Sequence, residues 1–249
     1  MGIGGIITSK WMSMSDICFA FPNEKSFGLF KKLGWKMSKH TFLHYYLIRP
    51  FEHPKLKAKI PEFLLKVLNL LFFPLIMLNY KRYAESVDAL KFYPLSDESI
   101  KEFKREINPD KFSSIRDDDY LEWRFLNSPD SSQYKVCTIN NEKKLIIKIQ
   151  QPGTQKVSID ILFADPKENF FELRKLLATL AVWGSLNEIK YIRMYMSEKK
   201  KSSYLRRSLF PRFKNQWFAY YTQDDFLGEA LTDAHWDWEL LDSDFEFSF

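Results

Sequence analysis

The sequence predicts a mixed α/β (α+β) fold in which a mostly antiparallel sheet is flanked by helices, and three observations carry this expectation. Hydrophobic residues make up 45% of the 249 and aromatic residues 17%, ample material for a packed core in one large or two small domains. Three alternating, β-rich runs at 134–139, 144–150 and 157–164 are separated by turn residues, Asn140-Asn141 and Gln151-Pro152-Gly153, the pattern of a three-stranded meander. Residues 170–186 then switch to a helical period, with Phe170, Leu173, Leu176, Leu177 and Leu180 on one face.

Taken from the N-terminus, residues 1–15 hold three glycines among the first five positions and a Ser/Met mixture around Trp11, and read as irregular. A strand over 16–20 should end at Pro22, which has no N–H to give a ladder, and Asn23 then stands where a helix N-cap is wanted. In the helix over 23–33, Phe27, Phe30 and Leu33 recur at three-residue steps, Lys31 and Lys32 suit the negative end of the dipole, and Gly34 supplies a left-handed stop. Residues 35–49 are extended and aromatic-rich, with Phe42, Tyr45, Tyr46 and Leu47, until Pro50 closes the strand. A strand, a helix and a strand bury too little to stand alone, so the unit over 1–54 must lean on the rest of the chain or be a fragment.

Residues 55–94 have a different texture. The run 63–78 is apolar except for Lys66 and Asn69, and with Pro74 inside it the 16 residues fall short of a membrane span, which needs about 20. The expectation is a buried connecting helix between subdomains; the alternative is a membrane-surface helix flanked by Lys55, Lys57, Lys59, Lys81 and Arg82. The third unit, 95–249, opens with a helix over 95–105 capped by Ser96, with Ile100, Phe103 and Ile107 inward. A second short helix over 120–125 follows Asp117-Asp118-Asp119 and stops at Ser128-Pro129-Asp130. The meander, the helix over 170–186, a strand over 189–196, a helix over 202–209 and a last strand over 216–222 complete it.

Charge and composition exclude several classes. Residues 224–249 hold nine acids and no Lys or Arg, so the rest of the chain carries +14, nine above the +5 of the whole. No RNP, helix-turn-helix or zinc-finger pattern accompanies that basic body, so nucleic acid is not the expected partner, whereas a polyanionic cofactor suits it. Cys18 and Cys137 lie in apolar runs, too few for a disulfide scaffold, and the expected compartment is a reducing cytoplasm. The N-terminus has no basic and apolar leader, and Ile6 breaks the myristoylation pattern begun by Gly2. His40, His44, His53 and His235 make no metal-site spacing with a nearby Glu, and no nucleophile elbow, P-loop or dinucleotide fingerprint occurs.

The stretch 21–35, FPNEKSFGLFKKLGW, resembles the acetyl-CoA-binding motif of the GNAT acyltransferases, N-x-x-A-x-x-L-Y-x-x-x-G-F, through Asn23, Ser26, Leu29, Phe30, Gly34 and Trp35. In that superfamily the Asn, at the splayed end of a strand, helps to hold the pantetheine arm, and the Tyr often protonates the leaving thiolate. The resemblance therefore implies acetyl-CoA as cofactor, with Asn23 and Ser26 beside it and Phe30 at the tyrosine position. Phe30 has no hydroxyl, so the general-acid role is unfilled and no catalytic residue is assigned. Read locally, Asn23 and Gly34 are also ordinary helix caps.

The element order over 95–222 is similar to the GNAT topology, and one subset is built as a tandem. Asp117, Leu121, Trp123, Arg124, Phe125, Pro129, Tyr134 and Val136 match its D-x-x-x-L-x-W-R-F…P…Y-x-V opening, and Trp238, Asp242, Ser243 and Asp244 its closing segment. This implies a partial first repeat, lacking its N-terminal part and pyrophosphate loop, followed by a second repeat. The second repeat's own loop, 163–169, has no glycine and carries Asp165 and Glu168, which repel phosphate; Lys199, Arg206 and Phe210 replace its Asn, Tyr and Gly. That repeat is expected to be structural or substrate-covering, with CoA binding in a variant manner as the alternative. Asp242 and Asp244 alternate onto one face, as a base, an amine-binding pair or a solvated tail. The implied activity is acyl transfer from acyl-CoA to an amine-bearing small molecule, such as a sugar or cell-envelope precursor. The competing expectation is a catalytically inactive GNAT-fold domain kept for interaction or assembly.

Overall fold

The computed structural model describes residues 3–22, 24–52, 59–103, 117–140, 143–150, 158–164, 170–196 and 212–232. The fold is mixed α+β. Eight strands, β1 (Ile17–Ala20), β2 (Lys36–Leu47), β3 (Leu90–Pro94), β4 (Tyr134–Ile139), β5 (Lys143–Gln150), β6 (Ser158–Ala164), β7 (Tyr191–Met196) and β8 (Arg212–Thr222), form one sheet ordered β1-β8-β2-β7-β6-β5-β4-β3. Every neighbouring pair is antiparallel except β6 and β7, which are parallel and joined by a crossover helix, as the parallel direction requires. The two strands of the N-terminal unit enter this same sheet: β2 lies between β7 and β8, and β8 lies between β2 and β1.

Seven α-helices are described: α1 (Ile3–Met12), α2 (Glu24–Lys32), α3 (Glu62–Lys81), α4 (Asp97–Lys101), α5 (Asp118–Leu121), α6 (Phe170–Leu186) and α7 (Asp225–Thr232). On one sheet face, α6 lays Leu173, Leu176, Leu177 and Leu180 over Ile147, Ile159, Ile161 and Ile192, and α3 adds Met77 and Tyr80. The approach is close at Gly184, where an added Cβ would stand 2.8 Å from Ile48 Cδ1 and 3.2 Å from Ile189 Cβ. On the opposite face α4, α5 and a π-helical turn over Glu122–Leu126 pack Ile100, Phe103, Leu121 and Phe125 on Tyr134, Val136, Ile146 and Leu162.

Most expected boundaries hold within two residues, because each is set by a local device. Ser96 and Ser99 form a reciprocal capping box at α4. The Asp117 carboxylate accepts from Tyr120 N–H at 2.9 Å to start α5. Gly34 has φ +83°, the left-handed residue expected after α2. Asn140, in the first meander turn, has φ 52°.

Four readings differ. Residues 3–12 are helical despite Gly4 and Gly5, since tertiary contact outweighs the glycine penalty of about 1 kcal/mol each: Trp11 and Trp35 lie with ring centroids 5.3 Å apart, and Trp35 Nε1–H points at Met12 Sδ at 3.2 Å. Strand β3 was absent from the expected elements; it is an edge strand of five residues, ended by Pro94. The acidic C-terminal segment begins with α7, whose Leu227 N–H is accepted by Asp224 at 3.0 Å and whose Leu231 is fully buried. The run 63–78 sits in a 20-residue helix, α3, in which only Leu65, Met77 and Tyr80 are buried, so the buried connecting helix is corrected to a surface one. The expected helix over 202–209 lies outside the described residues.

Tyr80 fixes α3 to the sheet: its ring stacks on Tyr46 at 4.3 Å, and its hydroxyl donates to Leu47 C=O at 2.9 Å. Burial pushes both phenols well above 10.0, and the Tyr80 phenolate would raise Tyr46 further, with Arg174 opposing. At pH below 10 both rings are neutral in the folded and unfolded chain. Above it the unfolded chain loses these protons first and binds fewer than the native state, so stability falls as pH rises. Urea titrations between pH 8 and 11 are expected to show a flat unfolding free energy up to about pH 10, then a decline approaching about 1.4 kcal/mol per pH unit for each phenol. A curve that stays flat through pH 11 would refute the burial account.

Candidate functional site

The outer edges of β6 and β7 pair with different neighbours, β5 and β2, and this opens a fork. Ladder pairing between them runs from Ser158↔Tyr191 to Ile161↔Met194 and stops. Beyond that point β6 passes a bulge at Leu162 and continues with Phe163 and Ala164 in register with β5, as far as Leu145↔Ala164. Strand β7 continues through Tyr195 and Met196 in register with β2, as far as Phe42↔Met196. Each strand therefore follows its outer partner, and the two part at their C-terminal ends. In sheets with a parallel pair, that end, at a change of strand direction, is where ligands enter.

A buried charged row crosses the sheet at the base of the fork. Register aligns Tyr134 with Lys148, Lys148 with Asp160, and Asp160 with Arg193, all on the face opposite α6. Asp160 is 0% and Arg193 5% exposed. Arg193 Nε donates to Asp160 Oδ1 at 2.6 Å and Nη2 donates to Oδ2, a bidentate pair, and Gln150 Nε2 donates to Oδ2 at 3.0 Å. With both oxygens occupied by donors, this carboxylate is a clamp between β6 and β7 one residue before their last ladder pair, and no base for an incoming substrate. Further along, Lys148 Nζ donates to Asp130 Oδ2 at 2.9 Å and lies 5.5 Å from the Tyr134 ring centroid. Asp130 Oδ1 in turn accepts from Gln133 Nε2 at 3.0 Å, which orients it.

The Asp117-to-Val136 motif converges on this row. Leu121 and Phe125 are fully buried, Tyr134 meets Phe125 edge-on at 5.2 Å, and the buried Arg124 reaches Tyr134 Oη with Nη1 at 3.5 Å. The π-helical turn puts Arg124 and Phe125 inward together and leaves Trp123 65% exposed. The motif is thus a packing device that seats α5 on β4.

The residues singled out at 21–35 lie elsewhere. Phe30 packs edge-on against Trp35 at 4.7 Å, beside Cys18 and Ala219, and Ser26 is half-buried one turn earlier on α2. Asn23 lies outside the described residues, as do Asp165, Glu168, Lys199, Arg206, Phe210, Trp238, Asp242, Ser243 and Asp244. From β1, which leads into α2, to β7 is three strand spacings, roughly 14 Å, so Phe30 and the charged row are separate places. His44 is fully buried on β2, and among the described residues no three His, Cys, Asp or Glu side chains are grouped to hold a metal. Both cysteines are buried and unbridged, and desolvation raises the Cys18 thiol, which disfavours the reactive thiolate.

No protein-family model matches this chain, and no curated protein matches it. The sequence signal for that row was a charge at an inward position of an otherwise apolar strand: Asp160 in SIDILFA, Arg193 in YIRMYM, Lys148 in KKLIIKIQ. Strands covered on both faces read as apolar runs, so a charge within one must be paired across the sheet. Which strand supplies the partner is not written in the run itself.

Proposed function

We propose that this chain is a GNAT-type acyltransferase that holds the pantetheine arm of an acyl-CoA in the fork between β6 and β7 and passes the acyl group to an amine-bearing small molecule. The observation that carries the reading is the parting of the single described parallel pair at Ile161↔Met194, within an otherwise antiparallel sheet. An extended arm of amides binds as an added strand does, by main-chain hydrogen bonds to a strand edge that has lost its neighbour. The 95–222 motif order supports the same family, the 21–35 resemblance supplies the identity of the cofactor and not its place, and the fork corresponds to the variant CoA site that the altered 163–169 loop left as the alternative. In the reaction the amine lone pair attacks the thioester carbonyl, and backbone N–H groups stabilise the oxyanion. Collapse of the adduct breaks the C–S bond, releases the CoA thiolate and leaves an amide after loss of the amine proton.

Hydrogen exchange with mass spectrometry tests this. Acetyl-CoA is expected to protect the amides of 162–164 and 195–196, together with release of free thiol when an amine acceptor is supplied. Protection confined to the α2 corner would move the cofactor to Asn23 and Ser26. Absence of protection anywhere at millimolar acetyl-CoA would sink the reading. It would leave the assembly-only domain, for which the fully engaged Asp160 and the hydroxyl-free Phe30 are the favouring observations.

A further inference from the structure

Helix α3 presents a surface that the core does not use. Phe63, Leu64, Val67, Leu70, Leu71, Leu75 and Leu78 are 42–77% exposed, and at 3.6 residues per turn they cover about 140° of the helix circumference without a polar residue between them. Among the described residues α3 is the one helix long and apolar enough to cross a membrane. It is nonetheless pinned along its other side: Met77 and Tyr80 belong to the core under α6, with Phe73 and Ile76 packed against it. A helix held in that way cannot stand across a bilayer while its sheet stays folded. It can lie in the plane of one.

Charge decides between occupants. The stripe is bounded by Lys59 before the helix and by Lys81 and Arg82 at its end, all exposed. Lys81 stands five turns from Phe63 and on the same line. The acid at the start of the helix, Glu62, is engaged by Lys66 at 3.0 Å. A second copy laid on the stripe, parallel or antiparallel, would bring basic ends onto basic ends. The stripe is also about 22 Å long and one helix wide, well short of the roughly 800 Å² per partner of a stable dimer. An anionic headgroup layer meets both ends favourably, and lysine stems reach it while their helix sits at the acyl boundary.

We propose that α3 is an in-plane docking helix for an anionic lipid surface, inserting Phe63, Leu70, Leu71 and Leu78 at the headgroup boundary while Tyr80 and Met77 keep it on the protein. The test is flotation of the full chain with phosphatidylcholine vesicles containing phosphatidylglycerol, against Leu70→Gln/Leu78→Gln. Both leucines face outward, at 77% and 71% exposure, so the variant is expected to melt like the parent. The parent is expected to float, less so at high salt, and the variant to partition at least about tenfold more weakly. Failure of the parent to float, or equal flotation of the variant, overturns the proposal. So does a concentration-dependent dimer, seen by sedimentation without vesicles and abolished in the variant, which would make the stripe a self-interface.

Discussion

Asp160→Asn is expected to lower the unfolding free energy by about 3–5 kcal/mol, because it strands the Arg193 charge in a place where water cannot replace its partner. Arg193→Met is expected to cost about as much, by stranding the carboxylate. The two partners are both buried and bidentate, so Coulomb attraction and desolvation are each large, and their difference is what an isosteric replacement reads. The double variant Asp160→Leu/Arg193→Met should therefore recover most of the loss, to within about 1–2 kcal/mol of the parent. Urea unfolding with an unchanged m value is the measurement. A double variant as unstable as the sum of the singles would show that the pair holds the fork by more than mutual compensation. If the fork binds acyl-CoA, the double variant should also bind more weakly even where its stability is restored, since the two strands are no longer clamped just before they part.

Tyr80→Ala is expected to cost about 3–5 kcal/mol and Tyr80→Phe about 1 kcal/mol. The first removes the ring stacked at 4.3 Å on Tyr46 and opens a cavity under α6. The second keeps the ring and takes away the donor to Leu47 C=O at 2.9 Å. Denaturant titration gives both values. Tyr80→Phe should in addition shed part of the alkaline loss, since one of the two buried phenols is gone. A Phe variant as costly as Ala would mean that the hydroxyl, and not the packing, holds α3 on the sheet.

Legibility divides along the range of the physics involved. The cap at Ser96, the acids ahead of α5, the left-handed Gly34, the turn at Asn140 and the period of α6 are relations among residues a turn or less apart, and each was readable. Helix α1 was not, because Gly4 and Gly5 argue against it locally while Trp35, more than twenty residues away, argues for it through Met12. The candidate site went unread, and its one signal was charges set within apolar strands, Lys148, Asp160 and Arg193. Asp160 and Arg193 are 33 residues apart, and their meeting depends on β6 lying parallel to β7.

By itself the sequence determined the mixed α+β class, the meander, the apolar stripe of α3 and the basic residues at its ends, since these follow from residue type and local period. Only the tertiary structure decided that β2 enters between β7 and β8, that β6 and β7 part where each follows its outer neighbour, and that α3 turns its apolar stripe outward. The physical reason is that a strand edge can pair with any edge of suitable register, and an apolar helix can bury either side. Those choices are settled by which distant partners together remove the most apolar surface and leave the fewest backbone groups unpaired.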